Sequence, residues 1–184
     1  MHPIFTIHAG EYLVGIELEK KFGNCEVWVP SKDSGTDLLI TKKSDRSKNV
    51  GIQVKFSKDF LPDQKGLFQE NLLAMGWWTL DFKKIETSSA DLWILAPYSF
   101  KEKKIYFIII EPKELLRKLI AIHGNQKKAH VYLWVTSKHK CFESRGLNKL
   151  EAKEIFSNSK VTFGAERDFT PYLNNWKLLE GRLL

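Results

Sequence analysis

Cysteine is scarce. Cys25 and Cys141 are the only two in 184 residues, and they form neither a close pair nor a metal-knuckle spacing. A disulfide scaffold and a zinc finger are not expected, and a reducing cytoplasm is the expected setting. Long apolar runs are missing too. The longest lies within residues 105–110, too short to span a bilayer, and reads as a buried strand, so no membrane is expected. Residues 1–6 lack a charged n-region and an apolar h-region, so no signal peptide is expected. No GxxxxGK[ST] loop occurs, which argues against a nucleotide cofactor. The five histidines show neither His-x-His nor HExxH spacing, which argues against zinc hydrolysis, and no Gly-x-Ser-x-Gly elbow supports a serine hydrolase.

Acidic residues are the minority, 22 against 29 basic ones, for a net charge of +7. That excess favours a polyanionic partner. Hydrophobic residues at 43% and charged residues at 28% are those of a folded chain, and the length suits one domain over residues 1–184.

The apolar pattern predicts a helix over residues 8–22, with Tyr12, Gly15, Ile16 and Phe22 at helical spacing. Strands follow at 25–29, 36–40 and 50–56, the last two joined by the charged loop 42–49 as a hairpin. A helix is expected over 66–75, strands at 92–95 and 105–110, and a helix opened by Pro112 that stops before Gly124. A strand at 131–135, a turn back into Cys141-Phe142, a helix at 147–156 and a docking helix at 172–179 complete the order. The fold class is α/β, a mixed central sheet flanked by helices, with a core over about 8–110 and added strands and helices over 111–184.

Three segments carry unusual chemistry. In the strand 50–56, Ile52, Val54 and Phe56 alternate with Gln53 and Lys55, so the Gln-Lys pair shares one face. Asp37 opens an otherwise apolar strand, where a carboxylate is costly unless it is paired or bound to a cation. Pairing symmetric about Asp45 and Arg46 sets Asp37 opposite Val54, on the wrong face. A shift of one residue, through a bulge or bend at Gly35-Thr36, sets it beside Gln53 or Lys55. Glu11 heads a helical stripe of Val14, Gly15, Leu18 and Phe22, with Gly15 allowing close approach to the sheet; Glu19 is its competitor on the helix. Two carboxylates and an amide suit a hard cation such as Mg²⁺ (or Mn²⁺), and an adjacent lysine can orient the attacking water.

At this point the chain resembles the PD-(D/E)xK nuclease superfamily, the restriction-endonuclease-like fold, in its glutamine (QxK) variant. The matching residues are Gly10-Glu11-Tyr12-Leu13-Val14, Gly35-Thr36-Asp37-Leu38-Leu39-Ile40 and Ile52-Gln53-Val54-Lys55, about the first third of the chain. Thr36 stands in place of the name-giving proline, and Gln53 in place of the second acid. The resemblance implies a metal-dependent DNA endonuclease, of the restriction, homing or resolvase kind. Glu11, Asp37 and Gln53 would then be at the metal and Lys55 at the water. A homodimer would supply the two sites that duplex cleavage needs. Ser34 resembles the helper serine of archaeal Holliday-junction resolvases. The alternatives are a catalytically inactive DNA-binding or structural protein of the same fold, and an RNA-directed nuclease.

Lys42, Lys43, Arg46, Lys48 and Lys58 are candidate phosphate contacts. Trp77, Trp78 and Trp93 are assigned to the core rather than to base stacking, and Trp176 is open to either reading.

Overall fold

The computed structural model describes residues 9–31, 35–58, 71–157 and 161–184. Helix α1 (Ala9–Lys21) lays Gly10, Val14 and Leu18, one helical turn apart, against a sheet. Burying Val14 and Leu18 completely is worth about 1.5–3 kcal/mol for each side chain. Tyr12 faces solvent at 58% exposure, so the buried stripe is Gly10, Val14, Leu18 and Phe22 rather than the one running through Tyr12.

Strands β1 (Cys25–Trp28), β2 (Leu38–Lys42) and β3 (Asp45–Lys58) form an antiparallel meander. β3 then pairs in parallel with β5 (Leu92–Ser99), Gln53 opposite Trp93. Short antiparallel strands β6 (Lys104–Ile105) and β7 (Ile108–Ile110) both pair with β5 and complete a mixed sheet. The expected single strand over 105–110 is interrupted at Tyr106 and Phe107, whose amides turn aside to the Pro97 carbonyl and Asn174 Oδ1.

A parallel pair requires a crossover. Here it carries β4 (Leu72–Asp81) and the short helix α2 (Phe82–Glu86). β4 leaves the first sheet and joins β8 (Lys128–Thr136) and β9 (Cys141–Glu143) in a second, antiparallel one. The helix expected over 66–75 is thus corrected from Leu72 onward; residues 66–70 lie outside the described residues. Leu72, Leu73, Ala74 and Met75 favour a helix locally, but pairing with β8 overrides that preference.

The second sheet covers one face of the first. Trp78 and Leu80 from β4 pack with Trp93 and Leu95 from β5, and Trp78 Nε1 donates to the Lys55 carbonyl at 2.9 Å. Gly76 is required there, because a Cβ would occupy the place of the Trp78 indole. Trp78 and Trp93 are core, as expected, and so is Trp176. Trp77 is not: it stands on the outer face, 40% exposed. The other face of the first sheet is covered by α1 and by α5 (Lys177–Leu183), which seals Ile52, Val54, Ile94 and Ile109.

Helix α3 (Pro112–His123) begins at Pro112 and ends at Gly124 (φ 76°), as its sequence signals require. Helix α4 (Lys149–Glu154) carries a capping box between Asn148 and Glu151. Among the described residues, no helix is long and apolar enough to cross a membrane.

Candidate active site

The site begins with a register. The hairpin turns at Lys43 and Ser44, earlier than the sequence suggested, with Lys42 opposite Asp45. A bulge between Thr41 and Lys42 then takes up Arg46, Ser47 and Lys48, and the ladder resumes with Thr41 opposite Asn49 and Leu38 opposite Ile52. The shift that corrects Asp37 therefore arises at the hairpin end of β2, not at Gly35-Thr36. Asp37 N donates to the Ile52 carbonyl at 2.8 Å, extending the ladder by one residue and setting Asp37 across from Gln53. Because side chains alternate, Asp37, Gln53 and Lys55 share one face while Leu38, Ile52 and Val54 go into the core under α1.

Asp37 Oδ2 accepts the Val54 amide at 2.7 Å and the Gln53 side-chain amide. Two donors on one oxygen hold the carboxylate in place. Gln53 itself is only 7% exposed. A glutamine here satisfies Asp37, whereas a second acid would repel it. That is the physical meaning of the missing acid.

Glu11 reaches the same place from α1. Gly10 makes this possible, since a Cβ at that position would overlap Phe56 on β3. Gly15, expected to give the close approach, does not: a Cβ there would meet only Val27, at 4.0 Å.

Lys55 extends over Trp93, its Nζ 5.4 Å from the ring centroid. The Trp93 indole is fixed in turn by its Nε1 donating to Ser88 Oγ at 2.9 Å. Glu11, Asp37, Gln53 and Lys55 line a single cleft of about 680 Å³. Lys84, Thr87, Ser88 and Ser89, from α2 and the segment after it, close its other side. Sequence patterning did not single these four out. Lys84 adds a second ammonium group to the cleft, and α2 is anchored by Asp81 Oδ1 accepting the Lys84 amide.

The remaining candidates lie elsewhere. Lys42, Lys43, Arg46, Lys48 and Lys58 are all outside the cleft lining. Lys43 Nζ donates to the Gly23 carbonyl at 2.9 Å, Arg46 pairs with Glu26 at 3.4 Å, and Lys48 donates to the Leu184 carbonyl. Lys58 is exposed at the end of β3. Glu19 lines neighbouring hollows beside β1 rather than the cleft. Ser34 lies outside the described residues.

Among the described residues, no group of three or more His, Cys, Asp or Glu side chains is placed to hold a metal ion. The cleft offers instead two carboxylates and an amide, with no imidazole or thiol in its lining. An all-oxygen set with few protein ligands fits a hard cation that keeps much of its own water, such as Mg²⁺, and does not fit zinc.

No family model matches the chain, and neither curated proteins nor solved structures show a match to it.

Proposed function

We propose that this protein is a Mg²⁺-dependent endodeoxyribonuclease of the restriction-endonuclease-like, PD-(D/E)xK class, in its QxK form. One observation carries the reading: three separate segments deliver Glu11, Asp37, Gln53 and Lys55 into one cleft, on the elements that the family resemblance implies. A buried strand end has no structural need for a glutamine–aspartate pair beside a lysine.

Glu11, Asp37 and the Gln53 amide oxygen would hold the cation, the amide turning over to present oxygen. When bound, it supplies Lewis acidity toward the phosphodiester and lowers the pKa of a coordinated water. The chain does the rest. The Val54 amide keeps the Asp37 carboxylate aimed, since it can rotate only by breaking a 2.7 Å bond. Lys55, supported on Trp93, places an ammonium group where it can orient the attacking water and offset charge on the phosphate. Lys84 gives a second contact of the same sign from across the cleft. The net charge of +7 favours DNA over neutral substrates, and a homodimer would bring two clefts to the two strands of a duplex.

The test is nicking of supercoiled plasmid in Mg²⁺ or Mn²⁺, with Asp37→Asn and Lys55→Ala beside the parent chain and single-stranded RNA in parallel. Metal-dependent DNA cleavage lost in both variants is the expected result. Because Gln53 leaves only two acids in the cleft, the second reading is a DNA-binding protein without catalysis; retained DNA binding with no cleavage in either metal would select it. Cleavage of RNA alone would overturn the DNA assignment.

A further inference from the structure

Three consecutive hydroxyls line the far wall of the cleft just after α2: Thr87, Ser88 and Ser89. Their protons are not equally committed. Thr87 Oγ1 donates to the Lys83 carbonyl at 2.9 Å. Ser89 Oγ lies 3.5 Å from Thr36 Oγ1 and shares a hydrogen bond with it. Ser88 differs from both. Its Oγ accepts the Trp93 indole N–H at 2.9 Å and the Ala90 amide at 3.2 Å. A serine hydroxyl has two lone pairs and one proton. With both lone pairs in use, Ser88 can only donate to anything further. Among the described residues no group accepts that proton, and Ser88 is half-buried in the cleft lining.

We propose that Ser88 and Lys84 form a subsite for a second backbone phosphate of the nucleic acid, adjacent to the phosphate held at the cation. A donor-only hydroxyl beside an ammonium group favours an anionic acceptor, and a non-bridging phosphate oxygen is one. The end of α2 does not oppose it. The Lys83 carbonyl is engaged by the Thr87 amide and hydroxyl, and the Ile85 carbonyl by the Ser88 amide. The wall is also set in advance. Asp91 clasps Gly51 on β3 in both directions: its Oδ2 accepts the Gly51 amide at 2.7 Å, and its own amide donates to the Gly51 carbonyl at 2.9 Å. The contact between Ser89 and Thr36 ties the same wall to the residue before Asp37. Donors held in this way bind with little ordering cost. The subsite is joined to the lysine as well. The indole that Ser88 holds is the one beneath Lys55, whose Nζ is 5.4 Å from the ring centroid. When Ser88 donates to a phosphate, its oxygen becomes a better acceptor for the Trp93 N–H. The inference rests on the nucleic-acid reading of the cleft but needs no cleavage.

The experiment is fluorescence anisotropy of a dye-labelled 20-base-pair duplex, in EDTA so that no cleavage intervenes. Ser88→Ala should weaken binding about tenfold, and Ser88→Thr, which keeps the hydroxyl, should recover most of the loss. The plot of log affinity against log salt should keep its slope in Ser88→Ala and lose about one from it in Lys84→Ala, because only the lysine carries a charge. Trp93→Phe keeps a ring beneath Lys55 but removes the N–H bond to Ser88; it should bind within about twofold of the parent. The Trp93 indole N–H resonance should move downfield when the duplex binds the parent, and should not in Ser88→Ala. Equal binding by the parent and Ser88→Ala overturns the subsite alone if the parent nicks plasmid. A loss in Trp93→Phe as large as that in Ser88→Ala also overturns it, since Ser88 would then serve only to hold the indole. A parent that binds no duplex overturns the subsite and the nuclease reading together. A chain that cuts nothing in any metal, yet loses duplex affinity in Ser88→Ala, sinks the nuclease reading and leaves the subsite standing.

Discussion

Replacing Gln53 with glutamate tests the cleft most directly, because it restores the acid that the motif lacks. The parent side chain is 7% exposed and donates to Asp37 Oδ2. Gln53→Glu removes a hydrogen bond to a charged group, worth about 1.5–3 kcal/mol. It also sets two carboxylates side by side. At a separation of about 4 Å and an effective dielectric near 20, their repulsion is about 4 kcal/mol. Taking up one proton relieves this, but at pH 7 protonating a carboxyl of ordinary pKa near 4.3 costs roughly the same. The sum is about 6 kcal/mol. For a chain of 184 residues each kcal/mol moves Tm by about 2–4 °C, so the variant should melt about 12–24 °C below the parent at pH 7 in chelator. Two conditions should restore it. Lowering the pH toward 5 lets the pair share a proton, and Mg²⁺ at about 100 times its Kd returns roughly 2.7 kcal/mol. The parent, which already satisfies Asp37 with an amide, should respond less to either. Differential scanning calorimetry in EDTA, in Mg²⁺ and across pH reads all of this at once. If Gln53→Glu melts with the parent and ignores both Mg²⁺ and pH, Asp37 and residue 53 do not share a cation pocket and the reading of the cleft is wrong.

Two further outcomes follow from the packing. Gly10→Ala would push the start of α1 off Phe56, with an overpacking cost of about 1–3 kcal/mol, and would carry Glu11 away from Asp37; a Tm drop of a few degrees with a larger loss of Mg²⁺ binding is expected, and a variant binding Mg²⁺ like the parent would refute the placement of Glu11. Glu143 is fully buried and is raised from 4.5 to about 7, burial outweighing Arg167 and the Tyr132 and Arg145 amides that pull it down. A carboxyl raised in the folded state binds its proton more tightly there, so its contribution is present below its unfolded pKa and is lost as pH rises through about 7. His123, 3.6 Å away, is lowered by burial and by Arg167 and Arg145, so its contribution runs the other way and is lost as pH falls below its unfolded value of 6.5. Urea unfolding at a series of pH values should show the parent losing about 3 kcal/mol relative to Glu143→Gln between pH 4.5 and pH 7, and a constant difference across that range would show that Glu143 does not titrate.

What could be read from the sequence was what depends on local period. The alternation of Ile52, Val54 and Phe56 with Gln53 and Lys55 needs only a strand to put the polar pair on one face, and the strand is there. The opening helix, expected over 8–22, spans Ala9–Lys21, because its boundaries are set by Gly23-Asn24 and by one buried stripe. The helix from Pro112 to Gly124 was legible for the same reason: proline and glycine act where they stand. Register was not legible. Three bulged residues at the hairpin end decide which way Asp37 points, and charged residues such as Arg46 and Lys48 carry no pattern that reveals a bulge.

The other half of the cleft was hidden for a different reason, the route of the chain between the parallel strands. The sequence suggests a helix over 66–75, and the leucine-rich stretch from Leu72 to Met75 agrees with one locally. The chain instead spends that stretch in β4, whose partner β8 begins 47 residues after β4 ends and cannot be inferred from its own pattern. Two consequences follow from that one substitution of strand for helix. It brings α2 and the Lys84–Ser89 segment over the cleft, so the second ammonium group and the hydroxyls arrive from a part of the chain with no motif. It also turns the adjacent tryptophans to opposite faces, Trp78 into the core to hold the Lys55 carbonyl and Trp77 to the outer face of the second sheet. In a helix the two would have lain 100° apart on a single surface; in a strand one braces the cleft from within while the other faces solvent beside it. The far wall of the cleft therefore depends on the pairing of β4 to β8.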